Sequence, residues 1–137
     1  MFAKIASIDV QGVREPIPLR SINNWEDAVV HLDELRSLGK RAVSFCSEED
    51  ECMDVMTDGS GFFVAGYRKP IGSFIMLAAP DNGRRTSVFA GGDYISFPES
   101  GRVRFDELKA VVRSFVTTGD LMKPYLWTPF VGDSEFQ

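Results

Sequence analysis

The side chains with the most chemical potential are concentrated in one stretch, CSEEDECMDVMTD, at positions 46–58. Two cysteines, Cys46 and Cys52, enclose four consecutive acidic residues there. Thiols and carboxylates at this spacing are compatible with a metal site, a redox pair, or a negatively charged surface for a basic partner. Each of these three possibilities requires different residues elsewhere in the chain.

A metal site is the first possibility, and the spacing does not support it. Zinc binding requires a close cysteine pair or histidines at helical spacing, whereas His31 is the only histidine. Asp54 and Asp58 match two positions of a calcium-binding loop. Met56 and Ala65 stand where that loop needs an oxygen ligand and its final glutamate. The sequence therefore predicts no metal ion and no cofactor.

Catalysis also lacks the necessary groups. His31 is predicted on a helix between acidic residues and leucines, which is typical of a surface or boundary position. The acidic residues are expected in an exposed turn, with no apolar neighbours to raise a carboxyl pKa. The two glycines of FAGGDY (89–94) lead into another predicted strand, whereas a phosphate-binding loop leads into a helix. We therefore expect no enzymatic activity.

The third possibility, a negatively charged surface, agrees with the distribution of charge. The protein has 20 acidic and 15 basic residues and a net charge of −5, which argues against nucleic-acid binding. Residues 26–58 alone hold ten acidic and three basic residues. We predict that a basic protein partner binds here through six residues: Glu48, Glu49, Asp50, Glu51, Asp54 and Asp58. The alternative is that SEEDE is a solvated turn that keeps sheet edges from aggregating.

The hydrophobic pattern predicts the elements that must position these residues. Apolar residues at three- and four-residue spacing predict helices near 24–38 and 105–118, and alternation with short turns predicts an antiparallel meander of five to seven strands. The prediction is a single α+β domain over 1–137, with 130–137 as a frayed tail. Five residues are expected to be largely buried: Trp25, Leu32, Leu108, Phe115 and Trp127.

The same pattern bears on the cysteines and on location. With SEEDE as a hairpin turn, Cys46 and Cys52 become cross-strand neighbours. The chain shows neither a signal peptide nor an apolar run long enough to cross a membrane. A cytoplasmic protein with two reduced thiols and no disulfide is therefore expected.

Two segments resemble a known family. NWEDAVVHLDEL opens the first helix, and AGGDYISFPESGRVRFDELKAVVRSFVTTGDLMKPYLW runs from a strand through a helix to Trp127. Together they resemble family one of the immunity proteins from bacterial polymorphic toxin systems, which have an α+β fold and a tryptophan near the C-terminus. The resemblance implies a non-enzymatic cytoplasmic protein that neutralises a cognate toxin, in several family members a nucleic-acid deaminase.

A second interpretation of the chain remains open. A small-ligand-binding or regulatory α+β module could use the face of the sheet, or the AGGD loop, as a pocket. A concave pocket with convergent polar groups would favour this alternative. The sequence does not identify the toxin or the oligomeric state.

Overall fold

The structure, a computed structural model, describes residues 1–129, and the predicted frayed tail at 130–137 lies outside these residues. Two helices are present, α1 (Trp25–Leu38) and α2 (Phe105–Thr118), as predicted. Asn24 caps α1 by accepting a hydrogen bond from the backbone N–H of Asp27 at 2.9 Å. Gly39, with φ of 57°, ends the helix and donates its N–H to the Leu35 carbonyl.

The strands of the described residues form one large antiparallel sheet and one small one. They are β1 (Ile5–Val10), β2 (Arg20–Ser21), β3 (Arg41–Cys46), β4 (Cys52–Thr57), β5 (Phe62–Arg68), β6 (Gly72–Leu77), β7 (Arg85–Ala90), β8 (Asp93–Pro98) and β9 (Leu126–Pro129). The large sheet has seven strands in the order β2-β1-β3-β4-β5-β6-β9, with β4 in the middle. The α+β class and the antiparallel sheet are confirmed.

The path of the chain after β6 differs from a simple meander. Strands β7 and β8 leave the large sheet and pair only with each other among the described strands. The chain returns to the large sheet only at Leu126–Pro129, which form β9 beside β6. Gly91 and Gly92 form the tight turn between β7 and β8, with φ of 62° and 86°, a conformation that suits glycine.

The large sheet has two helices on one face and a hairpin on the other. Helices α1 and α2 pack on the first face over the main hydrophobic core. The β7–β8 hairpin lies across β3 and β4 on the opposite face, above a smaller apolar cluster that includes Met56, Ile75 and Val88. This second layer creates the cleft described below.

The predicted core is confirmed for the aliphatic residues and Phe115, but not for the tryptophans. Leu32, Leu108 and Phe115 are fully buried. Trp25 and Trp127 are only partly buried, because both lie at the edge of the main core. The indole Nε1 of Trp127 donates a hydrogen bond to the Met122 carbonyl at 3.0 Å.

The expectation of free thiols is wrong. Cys46 and Cys52 face each other across the β3–β4 hairpin, as predicted, and their sulfur atoms are bonded. The register brings their Cα atoms to 4.1 Å, close enough for a bridge. None of the helices in the described part of the chain has the length and apolarity needed to span a membrane.

Candidate functional site

The six acidic residues predicted to form one surface are divided between the surface and the interior. Glu48, Glu49 and Asp50 are exposed at the tip of the β3–β4 hairpin. The other three residues, Glu51, Asp54 and Asp58, have their carboxylates turned into the protein. The six residues therefore do not share one exposed surface, and their binding to a basic partner stays a prediction.

Bases from distant parts of the chain neutralise most of this charge. Lys4 Nζ lies 3.2 Å from a carboxylate oxygen of Glu48. The ammonium of Lys69 contacts Glu49 at 2.5 Å, and this hydrogen bond lowers the pKa of that carboxyl. Glu48 and Glu49 are thus each paired with a lysine that is distant in sequence, and Asp50 is the exposed acid of the tip without an ion pair among residues 1–129.

Glu51 is neutralised in a more enclosed position. Arg68 Nη1 donates to one of its carboxylate oxygens at 3.0 Å, and the backbone N–H of Lys69 donates to the other at 2.9 Å. Glu51 therefore joins the β3–β4 hairpin to the β5–β6 turn, which is a structural role.

Asp58 has a similar structural role in the β4–β5 turn. Its side chain is only 4% exposed and forms an ion pair with Arg102. Burial alone would raise the pKa of Asp58, but hydrogen bonds from Arg102, the Ser60 N–H and Thr86 lower it overall. Because Thr86 belongs to β7, this carboxylate also fastens the hairpin to the large sheet.

The two remaining acids, Asp50 and Asp54, have no ion pair among residues 1–129, and both line a cleft. The cleft has a volume of about 610 Å³ and lies between the large sheet and the β7–β8 hairpin. A third acidic residue, Asp9 on β1, also lines it. Among the described residues around the cleft there is no lysine, arginine or histidine. All of its formal charge is therefore negative.

The sheet register explains how polar side chains come to lie on this face. Ser7 is opposite Ser44, and Ser44 is opposite Asp54, so these three residues form a polar row across β1, β3 and β4. Neighbouring positions on each strand, such as Val43 and Val55, point into the helix-side core. The alternation of side chains along the strands thus places the apolar residues on the helix side of the sheet and the polar row on the hairpin side.

Asp54 has the most unusual environment in the cleft. It stands on β4, the middle strand of the seven. The Ser44 hydroxyl donates a hydrogen bond to its Oδ1 atom at 2.5 Å. Burial raises the pKa of Asp54, and the hydrogen bond from Ser44 opposes this shift only in part. The expectation that no acidic residue here would have a raised pKa is therefore wrong.

The mouth of the cleft is formed by exposed residues from both layers. Tyr67 on β5 is 41% exposed and Tyr94 on β8 is 51% exposed. Two hydrogen bonds hold the hairpin tip to the β1 end: Gly92 N–H to Asp9 Oδ2 at 2.6 Å, and Tyr94 Oη to Gln11 Oε1 at 2.8 Å. The cleft is consequently lined by the half-buried Asp54 and by two exposed tyrosines, Tyr67 and Tyr94.

Other candidate chemical groups lie away from the cleft or are already bonded. His31, predicted at a surface or boundary position, is buried between α1 and the sheet next to Phe45, and burial lowers its pKa. The sulfur of Cys52 lines the cleft only as part of the disulfide. A general acid–base pair needs a second group placed at the same reacting atom. Within residues 1–129, Ser44 is the side chain that hydrogen-bonds Asp54.

Sequence reasoning missed Asp9, Ser44 and the two tyrosines as parts of the site. One signal was present, because Ser7 and Asp9 alternate with apolar residues in β1. The alternation does not show that a hairpin covers this face. No protein-family model, curated protein or solved structure matches this chain.

Proposed function

We propose that this protein is a non-catalytic binding protein that neutralises a basic protein toxin by receiving part of it in the acidic cleft. The observation that carries this proposal is the composition of the cleft wall, which contains three aspartates and no base among its described residues. Such a wall attracts a cationic surface, increases its association rate and disfavours anionic partners.

The class of partner follows from the same charge argument and from the resemblance to immunity proteins. An enzyme that acts on nucleic acid needs a basic groove for the phosphate backbone. An inhibitor with a concave acidic face can cover such a groove and occlude the active site. A nucleic-acid deaminase toxin is therefore the partner that we propose. In this proposal the protein has no enzymatic activity, no cofactor and no nucleic-acid contact of its own.

The proposed compartment is the cytoplasm, where a toxin directed at nucleic acid acts. The Cys46–Cys52 disulfide weighs against this location, because the cytosol of most cells keeps thiols reduced. Trapping of free thiols with an alkylating reagent at the moment of lysis, followed by mass spectrometry, tests the point. Two alkylated cysteines are expected from cytoplasmic protein, and an intact bridge would place the protein in an oxidising compartment.

The test of the function is growth rescue by co-expression with the polypeptide encoded immediately upstream. A cleft variant carries Asp9→Asn, Asp50→Asn and Asp54→Asn. A matched variant on the helix side of the protein, called the helix-face variant, carries three substitutions with the same change in charge: Asp33→Asn and Asp106→Asn on the helices, and Asp120→Asn two residues after the end of α2. The wild-type and helix-face proteins should protect growth, and the cleft variant should not.

Circular dichroism and thermal melting of both variants serve as the folding control. Full protection by a folded cleft variant would contradict the proposal, since the charge that carries it would then be dispensable. Loss of protection in both variants alike would also contradict it, because net charge alone would then account for the effect.

A second function, the binding of a small cationic ligand, is favoured by one specific observation. The cleft volume of about 610 Å³ lies in the range of small-molecule sites, and the cleft uses the sheet face and Gly91, as the alternative interpretation requires. Isothermal titration with spermidine distinguishes the two functions. Saturable binding of spermidine together with failure of growth rescue would support this second function.

A further inference from the structure

We propose that the floor of the cleft is a receptor for one arginine side chain of the partner protein, whose guanidinium group pairs with Asp54. This inference rests on the proposed function, because it names the group of the basic partner that enters the cleft. It is argued from the position of Asp54, the row of oxygen atoms beside it and the aromatic rings at the mouth.

Asp54 has no ion-pair partner among residues 1–129. It is a half-buried residue on the middle strand of the sheet, and the hydrogen bond from Ser44 is the side-chain contact recorded for its carboxylate there. A buried charge without a partner is costly, and acids of this kind are concentrated at binding and catalytic sites. Glu51 and Asp58, which are also turned inwards, each have an arginine from this chain. Asp54 is thus the inward-facing acid of this segment to which residues 1–129 supply no arginine.

Several oxygen atoms that can accept hydrogen bonds lie beside one another at Asp54. The polar row of Ser7, Ser44 and Asp54 places oxygen atoms on three neighbouring strands, which are spaced by about 4.8 Å in any β-sheet. A guanidinium group carries five N–H donors in a planar fork, whereas an ammonium group is a compact point charge. The fork can satisfy acceptors on adjacent strands at once, so the row favours arginine over lysine.

A side chain that enters the cleft passes two tyrosines. Tyr67 and Tyr94 line the cleft and retain large exposed fractions at its mouth. Guanidinium groups stack on aromatic faces and are more weakly hydrated than ammonium groups, so they enter a buried site at lower desolvation cost. The other acids of the cleft, Asp9 and Asp50, add to the attraction from the sheet and from the β3–β4 hairpin.

The experiment uses three short peptides that differ in one side chain: acetyl-Gly-Arg-Gly-amide, its lysine analogue and its citrulline analogue. Citrulline has nearly the shape of arginine but no charge. Binding is followed by ¹⁵N–¹H chemical-shift titration of the full chain. The arginine peptide should shift the amides of Ser44, Asp54 and Tyr94. The citrulline peptide should bind at least about tenfold more weakly, which corresponds to the loss of about 1.4 kcal/mol.

Two variants assign the effect to Asp54. Asp54→Asn should weaken the arginine peptide by about tenfold or more, while Asp120→Asn, at an exposed position outside the cleft, should leave its affinity within about twofold. Equal or tighter binding of the lysine peptide would overturn the preference for guanidinium. Absence of shifts in the cleft with the arginine peptide would overturn the site itself.

The outcome is separable from that of the toxin proposal. Because the peptides need no toxin, arginine binding with failed growth rescue would leave the Asp54 receptor in place and reject the toxin as partner. Growth rescue that depends on the cleft acids, combined with no peptide binding, would keep the toxin and reject the single-arginine contact.

Discussion

Replacement of Asp54 by asparagine should make the protein more stable at neutral pH while weakening the proposed binding of arginine in the cleft. Asparagine retains the Oδ1 acceptor for the Ser44 hydroxyl and removes the buried charge. Removal of a destabilising charge from a binding site commonly raises the free energy of unfolding by about 1–2 kcal/mol. For a chain of 137 residues this corresponds to about 4–8 °C in Tm.

The stability gained by Asp54→Asn should depend on pH in one direction. Burial raises the pKa of Asp54 in the folded protein above its value in the unfolded chain, so the folded state holds the proton more tightly. The stability that Asp54 contributes is therefore fully present at low pH and is lost as the pH rises through the folded-state pKa. The advantage of Asp54→Asn should be largest above that pKa and should vanish when Asp54 is protonated in both states.

Thermal melts of wild type, Asp54→Asn and Asp120→Asn between about pH 3 and pH 8 provide the assay. The difference between the first two isolates Asp54, because other groups with shifted pKa values, such as Asp58, are common to both. Asp120→Asn should follow the wild type, since surface changes are usually within about 0.5 kcal/mol. A lower Tm for Asp54→Asn at pH 8, or an advantage that does not change with pH, would refute the reasoning.

Three further predictions concern the rest of the fold. Asp58→Asn should lower the free energy of unfolding by about 2–3 kcal/mol in denaturant titrations. This loss is smaller than for a fully buried ion pair because the Arg102 side chain is 32% exposed, and an unchanged denaturation midpoint would contradict it. Reduction of the Cys46–Cys52 bridge, which closes a hairpin with a sequence separation of 6, should cost about 2 kcal/mol, and melts with and without reductant check it. Trp127→Ala should cost about 2–3 kcal/mol by denaturant titration, less than a fully buried tryptophan; a loss above about 4 would show that its packing is underestimated.

The sequence was sufficient for the elements because their signals are local. Asn24 begins α1 through a side-chain hydrogen bond, and Gly39 ends it with a positive φ. The alternation of strand residues places Ser7 and Asp9 on the face opposite the main apolar core. These signals depend on residues within one turn of helix or one strand. They do not depend on the arrangement of the whole chain.

The site could be predicted only in part because it depends on contacts between distant residues. Arg68 is 17 residues from Glu51, and Arg102 is 44 residues from Asp58. No local pattern shows that these bases neutralise those acids and leave Asp54 unpaired. The placement of the β7–β8 hairpin over β3 and β4 is equally non-local, and it turns a polar sheet face into a cleft.

Hydrogen–deuterium exchange of the protein, with and without the polypeptide encoded immediately upstream, tests the central claim most directly. The account predicts slower amide exchange on complex formation in β1, in the β3–β4 hairpin and in the β7–β8 hairpin, which together enclose the acidic cleft. The exposed faces of α1 and α2 should exchange as in the free protein. Protection confined to the two helices, with the cleft unchanged, would contradict the account.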